Sequence, residues 1–120
     1  MLKNNTMSGD QALMLTQAQQ YRGVEIAEAL PMGLQRLDLA RHTVIAPDGK
    51  RFVVATYDDT RLGRGYVTAA YPQQNGYLTL VRLALCEIGS ITPEEAVQRH
   101  IAVAQAIQQG KLNEFLQSVR

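Results

Sequence analysis

The sequence contains few cysteines and few aromatic residues. Its 120 residues include one cysteine, Cys86, and no tryptophan. A single cysteine excludes an internal disulfide and a zinc site built from several cysteines. With only five tyrosines and two phenylalanines, the core has to be built mainly from leucine, isoleucine, valine and alanine.

Motifs for catalysis, metal binding and phosphate binding are also absent. The two histidines, His42 and His100, are far apart in the sequence and form no metal-binding spacing. We interpret His42 as a strand surface residue and His100 as a partly buried helix residue. Cys86 follows apolar residues and precedes Glu87, which disfavours a reactive thiolate, so we interpret it as a core residue. The sequence therefore predicts no catalytic residue, no metal and no cofactor.

The charge balance and the lack of long apolar runs exclude two further classes of protein. Twelve basic residues against 11 acidic ones leave a net charge of +1, which argues against strong nonspecific binding to nucleic acid. The region from Arg36 to Arg82 is only mildly basic. No apolar run approaches the ~18 residues of a membrane span, and none follows Lys3 as in a signal peptide. We therefore expect a cytoplasmic protein without membrane contact.

Length and composition predict one domain. Hydrophobic residues make up 46% and charged residues 19% of the chain, which is typical of a globular protein with a single core. Residues 1–9 are polar and are expected to be flexible, and residues 10–120 form the domain. Apolar residues at helical spacing predict a first helix from Ser8 or Asp10 to about Arg22. Residues 24–30 fit either a short helix or a strand.

The middle of the chain predicts β-strands joined by turns. Leu37–Ala46 and Arg51–Tyr57 are predicted to pair across Pro47–Lys50, in which proline presets φ, aspartate bonds the backbone and glycine adopts positive φ. A third strand, Tyr66–Tyr71, is expected to stop at Pro72. After a second turn ending in Asn75-Gly76, the stretch 77–87 fits both alternation and helical spacing, and we favour a fourth strand.

The C-terminal third predicts helices. Thr92 is the expected N-cap, Pro93 the first helical residue and Glu95 the second half of a capping box, and Gly110 is expected to end the helix. A short amphipathic helix, 112–119, follows. The stretch TPEEAVQRH (92–100) resembles helix openings that follow β-hairpins in small bacterial and phage proteins, which implies no activity. The fold class is therefore α+β, with an antiparallel meander of about four strands and terminal helices on one face.

The loop from Asp58 to Gly65 is the best candidate for a binding site. It presents Arg61 and Arg64 near glycines, and guanidinium groups bind carboxylates and phosphates. Further arginine and tyrosine residues at strand margins add groups that could line a ligand cavity. The predicted ligand-binding residues are Arg51, Arg61, Arg64, Tyr66 and Tyr71.

These features leave three functional hypotheses. The favoured one is a non-catalytic binding protein, of the accessory type found on mobile elements, that holds a small amphipathic or anionic ligand or a protein partner between sheet and helices. The alternatives are a nucleic-acid-binding accessory protein that uses the mildly basic sheet, and a small enzyme with His42 or His100 as base. An open sheet face or the 112–119 helix is expected to form a homodimer.

Overall fold

The structure, a computed structural model, describes residues 24–74, 77–78 and 85–119. Within these ranges it contains one antiparallel sheet and two α-helices packed against it, which confirms the predicted α+β class. The predicted flexible segment, the first helix and the Asn75-Gly76 turn lie outside the described residues.

Six strand segments form the sheet. They are β1 (Leu30–Pro31), β2 (Asp38–Ile45), β3 (Arg51–Asp58), β4 (Tyr66–Gln74), β5 (Tyr77–Leu78) and β6 (Cys86–Ser90). The first four are neighbours in sequence order, and both β5 and β6 pair with β4. Because β3 pairs with the other side of β4 from residue 66 to residue 73, β5 and β6 share one position. The segments therefore fill five positions, whereas the sequence predicted about four.

The turn between β2 and β3 forms as the sequence predicted. The Gly49 N–H donates to the Ala46 carbonyl at 2.9 Å, and Gly49 has a φ of 86°. The Lys50 N–H donates to Asp48 Oδ1 at 3.0 Å. Because these contacts span only a few residues, the local sequence is sufficient to specify this hairpin.

The third strand extends beyond its predicted end. β4 continues through Pro72 to Gln74, with Phe52 opposite Pro72; the fixed φ of proline is compatible with extended backbone, and only its N–H is missing. The predicted strand over 77–87 is confirmed as strand at its described ends, where β5 and β6 pair with β4. Residues 79–84 lie outside the described part.

The two helices are α1 (Pro93–Gln108) and α2 (Leu112–Ser118). At the start of α1 the Thr92 side chain accepts the Glu95 N–H at 3.1 Å, as predicted. Glu95 Oε1 accepts the Ile91 N–H at 3.0 Å, one residue before the N-cap. Gly110 has a φ of 70° and separates the two helices, so both ends of α1 agree with the sequence signals.

Replacing Thr92 with alanine is expected to lower the free energy of unfolding by about 1 kcal/mol, because the Glu95 N–H loses its acceptor. Urea denaturation measures the change. Thr92→Ser retains the hydroxyl and is expected to lie close to the wild type. Equal stability of the alanine variant and the wild type would contradict the capping role.

The core lies between the sheet and α1. Its buried members come from the helix-facing side of the strands, from the sheet-facing side of α1 and from the irregular segment before β1; they are Ile26, Val44, Val54, Ala70, Val103, Ala104 and Ile107. Leu112 and Phe115 of α2 pack against this core. Since side chains alternate along a strand, His42 and Thr56 also belong to the helix-facing side.

The segment before β2 is mostly irregular, and only Leu30 of residues 24–30 enters a strand. Ile26 is anchored in the core with 6% exposure. The Gln108 side-chain amide donates to the Ala27 carbonyl at 2.7 Å. These tertiary contacts, which the local sequence could not reveal, hold the segment against α1.

The other face of the sheet is closed at its centre. Val53, Ala55, Val67 and Ala69 alternate with the helix-facing residues, yet none is more than 4% exposed. The sequence hypothesis of an open sheet face is therefore wrong for this part of the sheet. The homodimer itself stays a prediction.

Candidate functional site

The five predicted ligand-binding residues lie at two ends of the sheet. Arg51 pairs with Gln73, whereas Asp58 pairs with Tyr66 at the other end of the same two strands. Seven residues of extended chain separate these ends by about 23 Å at about 3.3 Å per residue. Arg51 therefore does not share a pocket with Tyr66.

Tyr66 and Tyr71 are also separated. Side chains an odd number of positions apart along a strand point to opposite faces. Tyr66 therefore shares a face with Thr68, and Tyr71 shares the opposite face with Ala69. Both tyrosines are half-buried. Burial raises the pKa of Tyr66, with a smaller contribution from Asp58. The predicted ligand-binding residues therefore do not form one site, and ligand binding by each of them stays a prediction.

The two loop arginines differ in their surroundings. Arg64 pairs with Asp59 and lies 3.4 Å from Glu87, and the hydrogen bond to Asp59 raises the pKa of Arg64. Arg61 is exposed in the short 3-10 turn Thr60–Leu62. Arg61, unlike Arg64, forms no salt bridge with another described residue.

Other cations of the mildly basic region are paired as well. Arg41 Nε lies 2.9 Å from Asp38 Oδ2, and Lys50 Nζ lies 3.8 Å from Asp48 Oδ2. These pairs reduce the free positive charge that the described part of the sheet offers to a phosphate backbone. The nucleic-acid hypothesis stays a prediction without geometric support.

The structure brings the two histidines together under α1. His42 Nδ1 and His100 Nε2 are 2.8 Å apart, and both side chains are buried, with 4% and 0% exposure. His100 Nδ1 lies 2.9 Å from Thr56 Oγ1, and Thr56 Oγ1 lies 2.8 Å from Thr68 Oγ1. Four polar side chains therefore form one continuous buried network across α1, β2, β3 and β4.

One proton arrangement satisfies every bond of this network with neutral rings. Thr68 donates to Thr56, Thr56 donates to His100 Nδ1, and the His100 Nε2–H donates to His42 Nδ1. The ring of His42 then has its Nε2–H for the backbone of Val24, an interaction that raises the pKa of His42 slightly. We assign this direction from the partners. Burial is the larger effect and lowers the pKa of both histidines.

The sequence interpretation of His42 as a surface residue is wrong, and His100 is fully rather than partly buried. His100 occupies the apolar stripe of α1, which was visible in the sequence. The face of β2 that holds His42 was not visible, because β2 has buried residues on both faces. Among the described residues, no hydroxyl or thiol nucleophile lies beside the two rings at a position that a ligand can reach. The enzyme hypothesis therefore stays a prediction.

A cleft lies between β6 and the two α-helices. Its volume is about 360 Å³, and its walls are Leu85, Cys86, Glu87, Ile88, Gly89, Arg99, Leu116 and Val119. Ligand pockets commonly have volumes of about 300–1,000 Å³, so this cleft is large enough for a small molecule. It matches the sheet–helix cleft of the favoured hypothesis in position, although none of the predicted ligand-binding residues lines it.

The accessible lining of the cleft is mostly polar, and it combines one cation with a few apolar side chains. Arg99 is half-buried and forms no salt bridge with another described residue. Leu116 and Val119 of the C-terminal part are half-buried opposite Ile88 of β6. Burial raises the pKa of Cys86, so its thiol stays protonated and adds a further weakly polar surface.

The described ranges contain no group of three or more histidine, cysteine, aspartate or glutamate side chains placed to hold a metal ion. Over the same ranges, neither helix is long and apolar enough to cross a membrane. Comparisons with protein-family models, with curated proteins and with solved structures gave no match. The functional argument therefore rests on the geometry of this chain.

Proposed function

We propose that the protein is a non-catalytic binding protein that holds a small amphipathic carboxylate in the cleft between β6 and the helices. The observation that supports this function most directly is that Arg99, which forms no salt bridge with another described residue, lies beside Leu116 and Val119 in one cleft of about 360 Å³. A guanidinium group binds a carboxylate through two parallel hydrogen bonds. The ligand's apolar part packs on Leu116 and Val119.

Among the described residues that line the cleft, Glu87 is the only acidic one. Its carboxylate lies 3.4 Å from Arg64 Nη1, which offsets its negative charge. Arg64 also pairs with Asp59, so Arg99 is the cation that remains for an anionic head group among the described walls. The choice of a carboxylate over an ammonium compound therefore rests on the Arg99 guanidinium.

A homodimer also remains part of the proposal. Leu85 and Ile91 flank β6 and are 51% and 88% exposed, so they provide apolar surface that a second copy can cover. Native mass spectrometry beside the denatured mass gives the number of chains and the mass of any ligand that is retained during purification.

Octanoate is expected to bind the wild-type protein, and Arg99→Gln is expected to weaken this binding about tenfold or more, because a charge-assisted hydrogen bond contributes about 1.5–3 kcal/mol. Isothermal titration calorimetry measures both affinities. Octan-1-ol, which has no charge, is expected to lose little affinity in the same variant.

Arg61→Gln is the matched control for Arg99→Gln. Arg61 is exposed and lies outside the cleft, so its replacement removes the same charge and is expected to leave octanoate binding unchanged. If Arg61→Gln abolished binding and Arg99→Gln did not, the ligand would lie at the loop predicted from the sequence. Undetectable octanoate binding to the wild type would refute the proposed ligand class.

A further inference from the structure

A second pocket lies at the opposite edge of the sheet from the cleft. It has a volume of about 110 Å³ and is bounded by Val24, Met32, Leu34 and Leu39, together with Arg41 and His42. The Met32 N–H donates to the Arg41 carbonyl at 2.9 Å, and β1 pairs with β2 through Pro31 and His42. These backbone bonds hold the wall of the pocket against β2.

The polar side chains at this pocket have different capacities to bind a ligand. Arg41 is already engaged, because its Nε lies 2.9 Å from Asp38 Oδ2 and its Nη2 lies 3.4 Å from Gln35 Oε1. His42 uses Nδ1 for His100 at 2.8 Å. Its Nε2–H interacts with the Val24 backbone, so an oxygen atom in the pocket has to share or displace this interaction.

The buried network gives His42 a defined orientation. His100 holds one side of the ring, and Thr56 and Thr68 hold His100 in turn. A hydrogen-bonding group fixed in this way by a second layer of bonds is preorganised, which reduces the entropy cost of binding. The network thus provides one oriented polar group in an otherwise apolar pocket.

We propose that this pocket is a second ligand site, which takes a small uncharged molecule with an apolar body and one carbonyl or hydroxyl oxygen that hydrogen-bonds to the His42 ring. The pocket offers no net charge to an ion, because Arg41 is paired with Asp38. Its apolar walls match the body of such a molecule. Its volume admits only a small ligand and excludes the larger amphipathic carboxylates that fit the cleft.

Nuclear magnetic resonance titration of the full-length, isotope-labelled protein with cyclopentanone tests the site. We expect saturable shifts of the Met32 and Ala40 amides and of the His42 ring nitrogens, with saturation at roughly millimolar ligand for so few atoms. Cyclopentane has the same shape and no oxygen, and it is expected to bind more weakly and to leave the ring nitrogens unchanged.

A variant that fills the pocket provides the second arm. Replacing His42 itself would break the bond to His100, whereas Leu34 is 37% exposed and takes no part in the network. Leu34→Trp is expected to weaken cyclopentanone binding at least tenfold without changing the melting temperature. Leu62→Trp alters a leucine that is 67% exposed and lies outside the pocket, and it is expected to bind as the wild type does.

Three results would overturn this proposal: no saturable shift with cyclopentanone, unchanged binding in Leu34→Trp, or equal effects of cyclopentane and cyclopentanone on the His42 ring. Because Arg99 lies outside this pocket, Arg99→Gln is expected to leave these shifts intact. Failure of the octanoate experiment and failure of the cyclopentanone experiment are therefore distinguishable.

Discussion

The free energy of unfolding is expected to fall as the pH falls below about 6.5, at up to about 1.4 kcal/mol per pH unit for His100 alone. Burial lowers the pKa of His100 from 6.5 to about 3 in the folded protein, and His42 adds to this shift. Between these two values the unfolded chain binds the proton and the folded chain does not. Lower pH therefore favours the unfolded state, and the loss extends from about pH 6.5 toward pH 3.

The geometry of the network explains why it resists protonation. The histidine nitrogens are 2.8 Å apart, and their hydrogen bond needs one nitrogen to remain an acceptor. Protonation of one ring places an uncompensated charge in the core. Protonation of both rings leaves no acceptor between them, so two N–H groups face each other. No carboxylate contributes to the pKa shift of either histidine, so none offsets the added charge.

Urea denaturation at several pH values between 4.5 and 7.5 measures this dependence. Carboxylates contribute to acid sensitivity as well, so a variant is needed to isolate the histidine. His100→Gln keeps a donor and an acceptor but cannot titrate in this range. The wild type is expected to lose stability more steeply than this variant as the pH falls from 6.5 to 4.5, and parallel curves would contradict a neutral His100.

Gly65→Ala is expected to destabilise the protein by about 3 kcal/mol or more, from positive φ and from a steric clash together. Gly65 has a φ of 70°, and a Cβ atom added there would lie 2.5 Å from the Ser90 carbonyl oxygen. Ser90 pairs with Tyr66 where β4 meets β6. Since the obstacle is backbone in a strand, relief of the clash requires a shift of this strand pairing.

Gly63→Ala is the matched control, because Gly63 has a φ of 76° and nothing lies within 4 Å of the added atom. It is expected to cost only about 1 kcal/mol, the conformational part of the effect. Urea denaturation of both variants gives the difference that is due to Ser90. Equal losses would show that the close approach of Gly65 to Ser90 does not constrain the fold.

The elements that were predicted correctly depend on neighbouring residues. Asp48 and Gly49 determine a turn through bonds that span two or three positions. Thr92 caps α1 through a residue three positions away. Because these hydrogen bonds join residues only two or three positions apart, turn propensities and capping rules predict them without knowledge of the rest of the molecule.

The histidine network and the cleft depend on residues far apart in sequence. His42 and His100 are 58 positions apart, and Thr56 and His100 are 44 positions apart. The sequence suggested arginines and tyrosines at strand margins as the site. The predicted antiparallel meander already places Arg51 and Tyr66, each the first residue of its strand, at opposite ends of the sheet. Arg99 had no distinguishing signal, since a single arginine on a helix is common.

By itself, the sequence determined the α+β class, the β2–β3 hairpin, the caps of α1 and the absence of sequence motifs for catalysis. Only the tertiary structure decided which face of β2 is covered by α1, that both sheet faces are buried at their centre, and which side chains line the two pockets. The physical reason is that hydrogen bonds in turns and caps form within a few residues, whereas burial and pocket shape result from packing between distant elements. That packing placed His42 against His100 and brought Arg99 into one cleft with Leu116 and Val119.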